Sequence, residues 1–123
     1  MAHILVVDDD EQIRMMVTKM LERDGHKITI AEDGHVGLRL FQAEPPDLVI
    51  ADIIMPTLEG IEMIKTMKQL RSDIPIVAVS GGARHIFFED TLCLAQQAGA
   101  VATLSKPFTR VELTAALLTA LSD

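Results

Sequence analysis

Short apolar runs alternate with segments of helical periodicity along the chain, and this alternation restricts the possible folds strongly. The runs are rich in β-branched residues and end at polar or turn residues, which is typical of strands buried on both faces. Such strands form parallel sheets, whose right-handed crossovers the intervening helices would supply. The pattern predicts an α/β fold with helices on both faces. The predicted strands are residues 4–7, 27–31, 48–50, 76–79 and 101–104.

Five helices are predicted to follow these strands. The first begins at the acids after residue 7, where negative charge meets the positive end of the helix dipole, and it ends at Gly25. The last is capped by Thr109. The other three are centred on residues 36–41, 61–70 and 87–98.

Four of the five predicted strands carry a polar side chain at the carboxyl end. The crevice of an open α/β sheet lies at these ends, where the strand order reverses. The second strand carries no such residue, which predicts an edge position and the order 2-1-3-4-5. The residues are Asp8 and Asp9 after the first strand, Asp52 after the third, Ser80 after the fourth and Lys106 after the fifth.

Three carboxylates in one crevice repel each other and require a cation. Mg²⁺ prefers such oxygen ligands and typically lies between a few carboxylates and a phosphate. It would keep Asp52 ionised as a nucleophile, while Lys106 adds a fixed positive charge and Ser80 a hydroxyl donor. The set is suited to accepting a phosphoryl group on a carboxylate.

Each residue also has an ordinary structural interpretation. Asp8 and Asp9 could be helix caps, Ser80 could belong to a plain turn, and Lys106 could be a solvated surface charge. Asp52 is harder to explain in this way, because a lone acid at the end of an apolar strand costs several kcal/mol unless it is paired. The order of all five residues at four strand ends favours the functional interpretation.

Composition excludes several classes of function. The net charge of -7 argues against binding to a nucleic-acid backbone, and four Phe without Trp or Tyr are too few for a base-stacking platform. The longest apolar runs are about five residues, far below a membrane span. One cysteine and the absence of a secretory pattern predict a cytoplasmic protein.

These motifs together resemble the receiver domain of two-component response regulators, over essentially the whole chain. The matching segments are VVDDD, ADIIMP with Gly60 shortly after it, VAVSGG and LSKPF. The resemblance implies a flavodoxin-like, doubly wound sheet. It also implies a phosphoacceptor that signals through protein contacts and is not an enzyme acting on a separate substrate.

The resemblance assigns a role to each polar residue. Asp52 matches the phosphoacceptor, which attacks the phosphohistidine of a sensor histidine kinase or a histidine phosphotransfer protein. Asp9 resembles the direct Mg²⁺ ligand, Asp8 the acid that acts mainly through metal-bound water, and the backbone carbonyl of Ile54 the third protein ligand. The two remaining matches are Ser80 with the switch hydroxyl and Lys106 with the lysine that pairs with the phosphoryl group.

Four positions depart from the family pattern or add to it. Thr103 stands where many receivers carry an aromatic residue that couples the switch to the output surface. Ile54 and Gly82 cannot hydrogen-bond the water that hydrolyses the acyl phosphate, so slow self-dephosphorylation is predicted. Met15 lies off the apolar face of the first helix and is a candidate contact for a kinase-side helix.

We therefore expect residues 1–123 to form a stand-alone receiver without an output domain, as a monomer or weak dimer with an unidentified downstream protein target. A phosphorylation-independent interaction module with the same fold is the main alternative. A haloacid-dehalogenase-like phosphohydrolase would need an Asp at position 54, which is Ile. A flavodoxin-like cofactor carrier would need a Ser/Thr-rich phosphate loop after the first strand.

Overall fold

The computed structural model describes residues 2–53, 60–81 and 95–122. Five strands in these ranges form one sheet in the order β2-β1-β3-β4-β5, and every neighbouring pair is parallel. This confirms the predicted fold and the edge position of the second strand. The strands are β1 (His3–Val7), β2 (Lys27–Ala31), β3 (Leu48–Asp52), β4 (Ile76–Gly81) and β5 (Ala102–Lys106).

Five helical segments cover the sheet. Residues 95–98 are the described part of the predicted 87–98 helix and are named α4; its remainder lies outside the described residues. The other helices are α1 (Glu11–Arg23), α2 (Gly34–Ala43), α3 (Gly60–Leu70) and α5 (Arg110–Leu121). Among the described residues, none of the helices combines the length and apolar character needed to cross a bilayer.

The core consists of two apolar clusters on opposite faces of the sheet, because successive strand residues point to opposite sides. Leu5 and Val7 of β1 pack with Phe41 of α2 and Met63 of α3 on one face. On the other face, the alternate residues of β1 pack with Val17 of α1 and with residues of α5. The fold is therefore a doubly wound three-layer arrangement.

Local side chains start the helices at the expected places. The Asp10 carboxylate accepts a hydrogen bond from the Gln12 amide and caps α1, and Thr109 forms a capping box with Glu112 at the start of α5. Gly25 has a φ of 88° just after α1, a conformation that glycine adopts without steric cost. These residues set where α1 and α5 begin and where α1 ends.

The structure differs from the sequence prediction in two details. Three strands each continue two residues past their predicted ends, so that Asp52, Ser80 and Lys106 lie within strands. The reason is that the backbone ladder continues through polar residues, for example in the pair formed by Gly81 and Lys106. Leu70 of α3 is 47% exposed, although its periodicity groups it with the buried face.

Candidate functional site

Asp8, in the loop between β1 and α1, is held by three hydrogen bonds and an ion pair. The Asp8 amide donates to the Ala31 carbonyl at 3.1 Å, and the side-chain Oδ1 accepts from the Asp10 amide at 2.9 Å. The Asp8 backbone carbonyl accepts from Arg14 Nη1 at 2.7 Å, and Oδ2 lies 2.8 Å from Lys106 Nζ. Asp8 is only 2% exposed. Its carboxylate is therefore fixed in a buried position at the carboxyl end of β1.

Asp52 is the last residue of the central strand β3 and is 3% exposed. Because β3 lies between β1 and β4, its carboxyl end is enclosed on both sides. Gly60, the first residue of α3, packs so closely that a Cβ there would overlap the Asp52 carbonyl oxygen and the Ile53 backbone. The requirement for glycine at this position follows from the tight approach of α3 to the phosphoacceptor candidate.

Lys106 at the end of β5 extends its side chain across β4 to the two buried acids. Its Nζ lies 2.8 Å from Asp8 Oδ2 and 3.3 Å from Asp52 Oδ2, and the lysine side chain is 14% exposed. A long, flexible ammonium side chain suits this reach between non-adjacent strands. Lys106 thus joins the first and third strands of the chain at one point.

Among the described residues, the pocket carries more negative than positive charge. Asp8, Asp9 and Asp52 can each place one carboxylate oxygen within 4.8 Å of the others, and within the described ranges Lys106 is the lysine in contact with them. Asp9 Oδ1 is buried without a hydrogen-bond partner among the described residues. A bound cation would balance this excess of negative charge.

Burial and ion pairing shift the pKa values of Asp8 and Lys106. Burial raises the pKa of Asp8 above its usual range, although hydrogen bonds from Lys106 and Asp10 oppose the shift, and the charge of Asp9 adds to it. Burial lowers the pKa of Lys106, but the combined attraction of Asp8 and Asp52 outweighs it and the net pKa is raised. The raised pKa disfavours the charged form of Asp8 but favours the charged form of Lys106. The two groups differ because Lys106 has two acidic partners, whereas Asp8 shares one lysine.

Ser80 lies in β4 at the same end of the sheet and is completely buried. Its neighbour Val79 pairs with Asp52 in the register of β3 and β4, so Ser80 is one residue further toward the crevice. Among the described residues, Ser80 Oγ has no hydrogen-bond partner. A buried hydroxyl of this kind is available to a ligand or to a rearranged neighbour.

The structure brings together the four charged residues that the sequence predicted and places Ser80 at the same sheet edge. Ile54 and Gly82 lie outside the described residues, so the predictions on them stay predictions. Sequence reasoning missed Arg14, which contacts the Asp8 carbonyl. A signal was present, because a cation near a helix N-terminus opposes the dipole and calls for a specific partner.

Comparison with known families decides the class of this chain. The family model described as the response regulator receiver domain matches residues 4–118. The chain belongs to this family. It is 37% identical over 112 residues to the alkaline phosphatase synthesis transcriptional regulatory protein PhoP of Bacillus subtilis, a match that covers 91% of this chain and 45% of PhoP. This chain therefore spans less than half the length of that relative.

Solved receiver structures have the same fold. A response regulator receiver domain protein from Clostridium thermocellum superimposes with a TM-score of 0.89 at 31% identity, covering 99% of this chain and 95% of that one. The chemotaxis protein CheY4 of Vibrio cholerae gives a TM-score of 0.87 at 29% identity, with coverage of 98% and 99%. The receiver domain is thus a signalling domain of two-component systems that occurs here as a five-stranded, five-helix fold.

The donor set of the acidic pocket fits a hard divalent cation. Carboxylate oxygens are the ligands that Mg²⁺ and Ca²⁺ prefer, and Mg²⁺ typically uses one or two of them together with water and phosphate. The buried Oδ1 of Asp9, which has no hydrogen-bond partner within residues 2–53, 60–81 and 95–122, is the atom that a cation would satisfy most directly. The residues present therefore suit Mg²⁺ chemically.

Proposed function

We propose that this receiver domain accepts a phosphoryl group from a phosphohistidine onto Asp52, with Mg²⁺, and signals through a phosphorylation-dependent change of its protein-binding surface. The observation that carries the proposal is the position of Asp52. It lies buried at the end of the central strand, 3.3 Å from Lys106 Nζ and grouped with Asp8 and Asp9. A surface acid retained only for solubility would need neither the burial nor the paired lysine.

In the proposed reaction a carboxylate oxygen of Asp52 attacks the phosphorus of the donor. An oxygen–phosphorus bond forms, the phosphorus–nitrogen bond of the phosphohistidine breaks, and the imidazole nitrogen retains the bonding electron pair and takes up a proton. The Lys106 ammonium, already within reach of Asp52, stabilises negative charge on the transferred oxygens. The product is an acyl phosphate on Asp52.

Asp8, Asp9 and Asp52 would hold the metal ion, with the Ile54 carbonyl as a further ligand. Bound Mg²⁺ neutralises the oxygens of the incoming phosphoryl group and the repulsion among the acids. The protein contributes preorganisation, because Asp8 is fixed by Lys106 and by the Asp10 amide before any ligand arrives.

Ser80 would register the phosphoryl group by donating its hydroxyl hydrogen to a phosphoryl oxygen. Its unpartnered, buried Oγ supports this role, since the new acceptor would satisfy a group that has no partner in the described residues. Inward movement of Ser80 would shift the chain after β4 and thereby the surface formed with β5 and α5.

A groove beside α1 is the proposed contact for the phosphodonor. Met15 and Ile30 line it and are 52% and 49% exposed, and the groove encloses about 340 Å³. Methionine adapts its shape to a partner surface, which suits transient docking of a kinase-side helix. Arg14 also lines this groove and donates to the Asp8 carbonyl, so a donor docked there would lie near the loop that carries Asp8 and Asp9.

Thr103 cannot provide the aromatic coupling that many receivers use at this position. Thr103 is partly buried in β5 and pairs with Ala78 of β4, two residues before Ser80. We expect Thr103 to act as a small strand residue without the aromatic coupling. Thr103→Phe would introduce an aromatic side chain and should change how strongly phosphorylation alters partner affinity. An unchanged ratio of partner affinities with and without phosphate would show that this position does not transmit the signal.

The proposal is tested by incubating the protein with acetyl phosphate or beryllofluoride, with and without Mg²⁺, and locating the adduct by mass spectrometry and NMR. We expect one Mg²⁺-dependent adduct at Asp52. Asp52→Asn should abolish it, and the matched control Asp47→Asn, at an exposed acid near the opposite end of β3, should not. Absence of an adduct on the wild-type protein would instead favour a phosphorylation-independent interaction module.

The predicted slow self-dephosphorylation follows from Ile54 and has its own measurement. Ile54→Asn should change the lifetime of phosphoryl-Asp52, because an amide at this position can hydrogen-bond the attacking water. Equal decay rates in the two proteins would contradict the prediction.

A further inference from the structure

Arg14 connects the second turn of α1 to the loop that carries two of the acids. Its Nη1 donates to the Asp8 backbone carbonyl at 2.7 Å, and the contact is partly buried. The Arg14 amide also donates to the Asp10 carbonyl at 3.1 Å, so backbone and side chain both bind the same three-residue loop. The guanidinium therefore reaches back to the loop between β1 and α1, and Arg14 is half-buried.

This placement opposes the usual electrostatic preference of a helix. A cation near a helix N-terminus is disfavoured by the helix dipole. Ordering a long arginine side chain also costs rotamer freedom. The short hydrogen bond to the Asp8 carbonyl offsets these costs, because hydrogen bonds from charged donors are stronger than neutral ones.

The acceptor of this hydrogen bond determines what Arg14 controls. The Asp8 carbonyl belongs to the peptide unit that also contains the Asp9 amide, and this unit is planar and rigid. Fixing the carbonyl direction therefore fixes where the Asp9 backbone starts. Asp9 Oδ1 is a buried oxygen without a hydrogen-bond partner in the described part of the chain, so the backbone direction matters more for where this carboxylate points.

We propose that Arg14 is a positioning residue for the acidic pocket, which aims the Asp9 carboxylate at the cation site by holding the Asp8–Asp9 peptide plane. The inference rests on the proposed function, because the cation site belongs to that function. It adds Arg14 to the acids, the hydroxyl and the lysine of the pocket.

The test compares Arg14→Ala, Arg14→Lys and Arg14→Gln with wild type. Arg23→Ala is the matched control, because it removes the same charge from the last turn of the same helix, at an exposed position. The first measurement is amide hydrogen exchange of Asp9 and Asp10 in metal-free protein. The second is the Mg²⁺ dissociation constant by calorimetry, and the third is phosphorylation by acetyl phosphate as a function of Mg²⁺ concentration.

We expect Arg14→Ala to weaken Mg²⁺ binding about tenfold, as loss of an outer-shell partner commonly does. The Asp9 and Asp10 amides should exchange faster while amides of the core strands do not. At saturating Mg²⁺ the phosphorylation rate should return close to that of wild type. Arg14→Lys should recover part of the affinity because it keeps a charged donor, Arg14→Gln should recover less, and Arg23→Ala should behave as wild type.

Unchanged Mg²⁺ affinity and unchanged exchange in Arg14→Ala would overturn the inference. So would a uniform rise of exchange across the core strands, or equal losses in the lysine and alanine variants, because these results indicate general destabilisation. A wild-type protein that binds no Mg²⁺ and accepts no phosphoryl group would refute the proposed function. Exchange at Asp9 and Asp10 would then still show whether Arg14 orders the loop.

Discussion

The two ends of the sheet carry ion pairs of similar length in very different surroundings. At the amino end, Lys27 Nζ lies 2.6 Å from Glu44 Oε1, and the two side chains are 68% and 58% exposed. At the carboxyl end, Lys106 Nζ lies 2.8 Å from Asp8 Oδ2, and the side chains are 14% and 3% exposed. Distance alone does not separate a structural contact from a functional one.

The balance of charge and hydrogen bonds separates the two ends. At the amino end, His3 Nε2 and the Thr29 hydroxyl are hydrogen-bonded at 2.8 Å, and Asp47 accepts from the His3 amide. At the carboxyl end, the described residues place three acids around Lys106, and a buried oxygen of Asp9 has no hydrogen-bond partner in the same part of the chain. Buried charge without a matching partner lowers stability, which makes the carboxyl end the candidate ligand site of the two.

The largest expected difference between the two ends comes from removing the lysine of each pair. Lys106→Met leaves Asp8 and Asp52 buried without their cation and should destabilise the metal-free protein by about 3 kcal/mol at neutral pH. Lys27→Met removes an exposed partner, and no measurable change in the urea midpoint is expected. Equal shifts of the two midpoints would contradict the distinction between the ends. Added Mg²⁺ should restore part of the loss in Lys106→Met.

A smaller effect of opposite sign is expected from removing an acid of the pocket. Asp9→Asn relieves repulsion and should stabilise the metal-free protein by about 1 kcal/mol, measured by urea unfolding. The same variant should lose most of the stabilisation that Mg²⁺ gives to wild type. Glu44→Gln serves as the control and should show no gain. A loss of stability in Asp9→Asn would mean that the acid is structurally satisfied without a cation.

The two ends should also respond to pH in opposite directions. Because the pKa of Asp8 is raised on folding, the folded state binds this proton more tightly than the unfolded chain. Stability from this group therefore falls as the pH rises above its ordinary pKa of 3.8 through the raised value. The advantage of Asp8→Asn over wild type in Mg²⁺-free buffer should shrink as the pH is lowered from neutrality. A constant difference would exclude this linkage.

The smallest effect is expected at Glu44. The Lys27 ammonium lowers the pKa of Glu44 below its ordinary 4.5, so the pair contributes above that pH and its contribution is lost as the pH falls through the lowered value. Both side chains of the pair are exposed, and salt should screen their attraction. Unfolding of Glu44→Gln should match wild type in high salt at every pH. A deficit that persists in high salt would indicate a contact other than the ion pair.

Most of the fold was predictable because burial imposes periodicity on the sequence. Alternating apolar runs and helical stripes indicated every strand, and the absence of a polar residue after the second strand indicated its edge position. Strand ends were less predictable: β4 continues through Ser80 to Gly81 because backbone pairing does not require apolar side chains. Exposure in α5 was also not predictable, since Val111 is 78% exposed in a helix that is apolar on most sides.

The sequence by itself determined which polar residues stand at the carboxyl ends of strands, because a parallel sheet places all such ends at one edge. Only the tertiary structure decided their pairing: that Lys106 crosses β4 to reach Asp8 and Asp52, and that Arg14 turns back to the Asp8 carbonyl. These contacts depend on side-chain directions and on distances across strands that are far apart in sequence. Local periodicity records burial and carries no information on which buried charges meet.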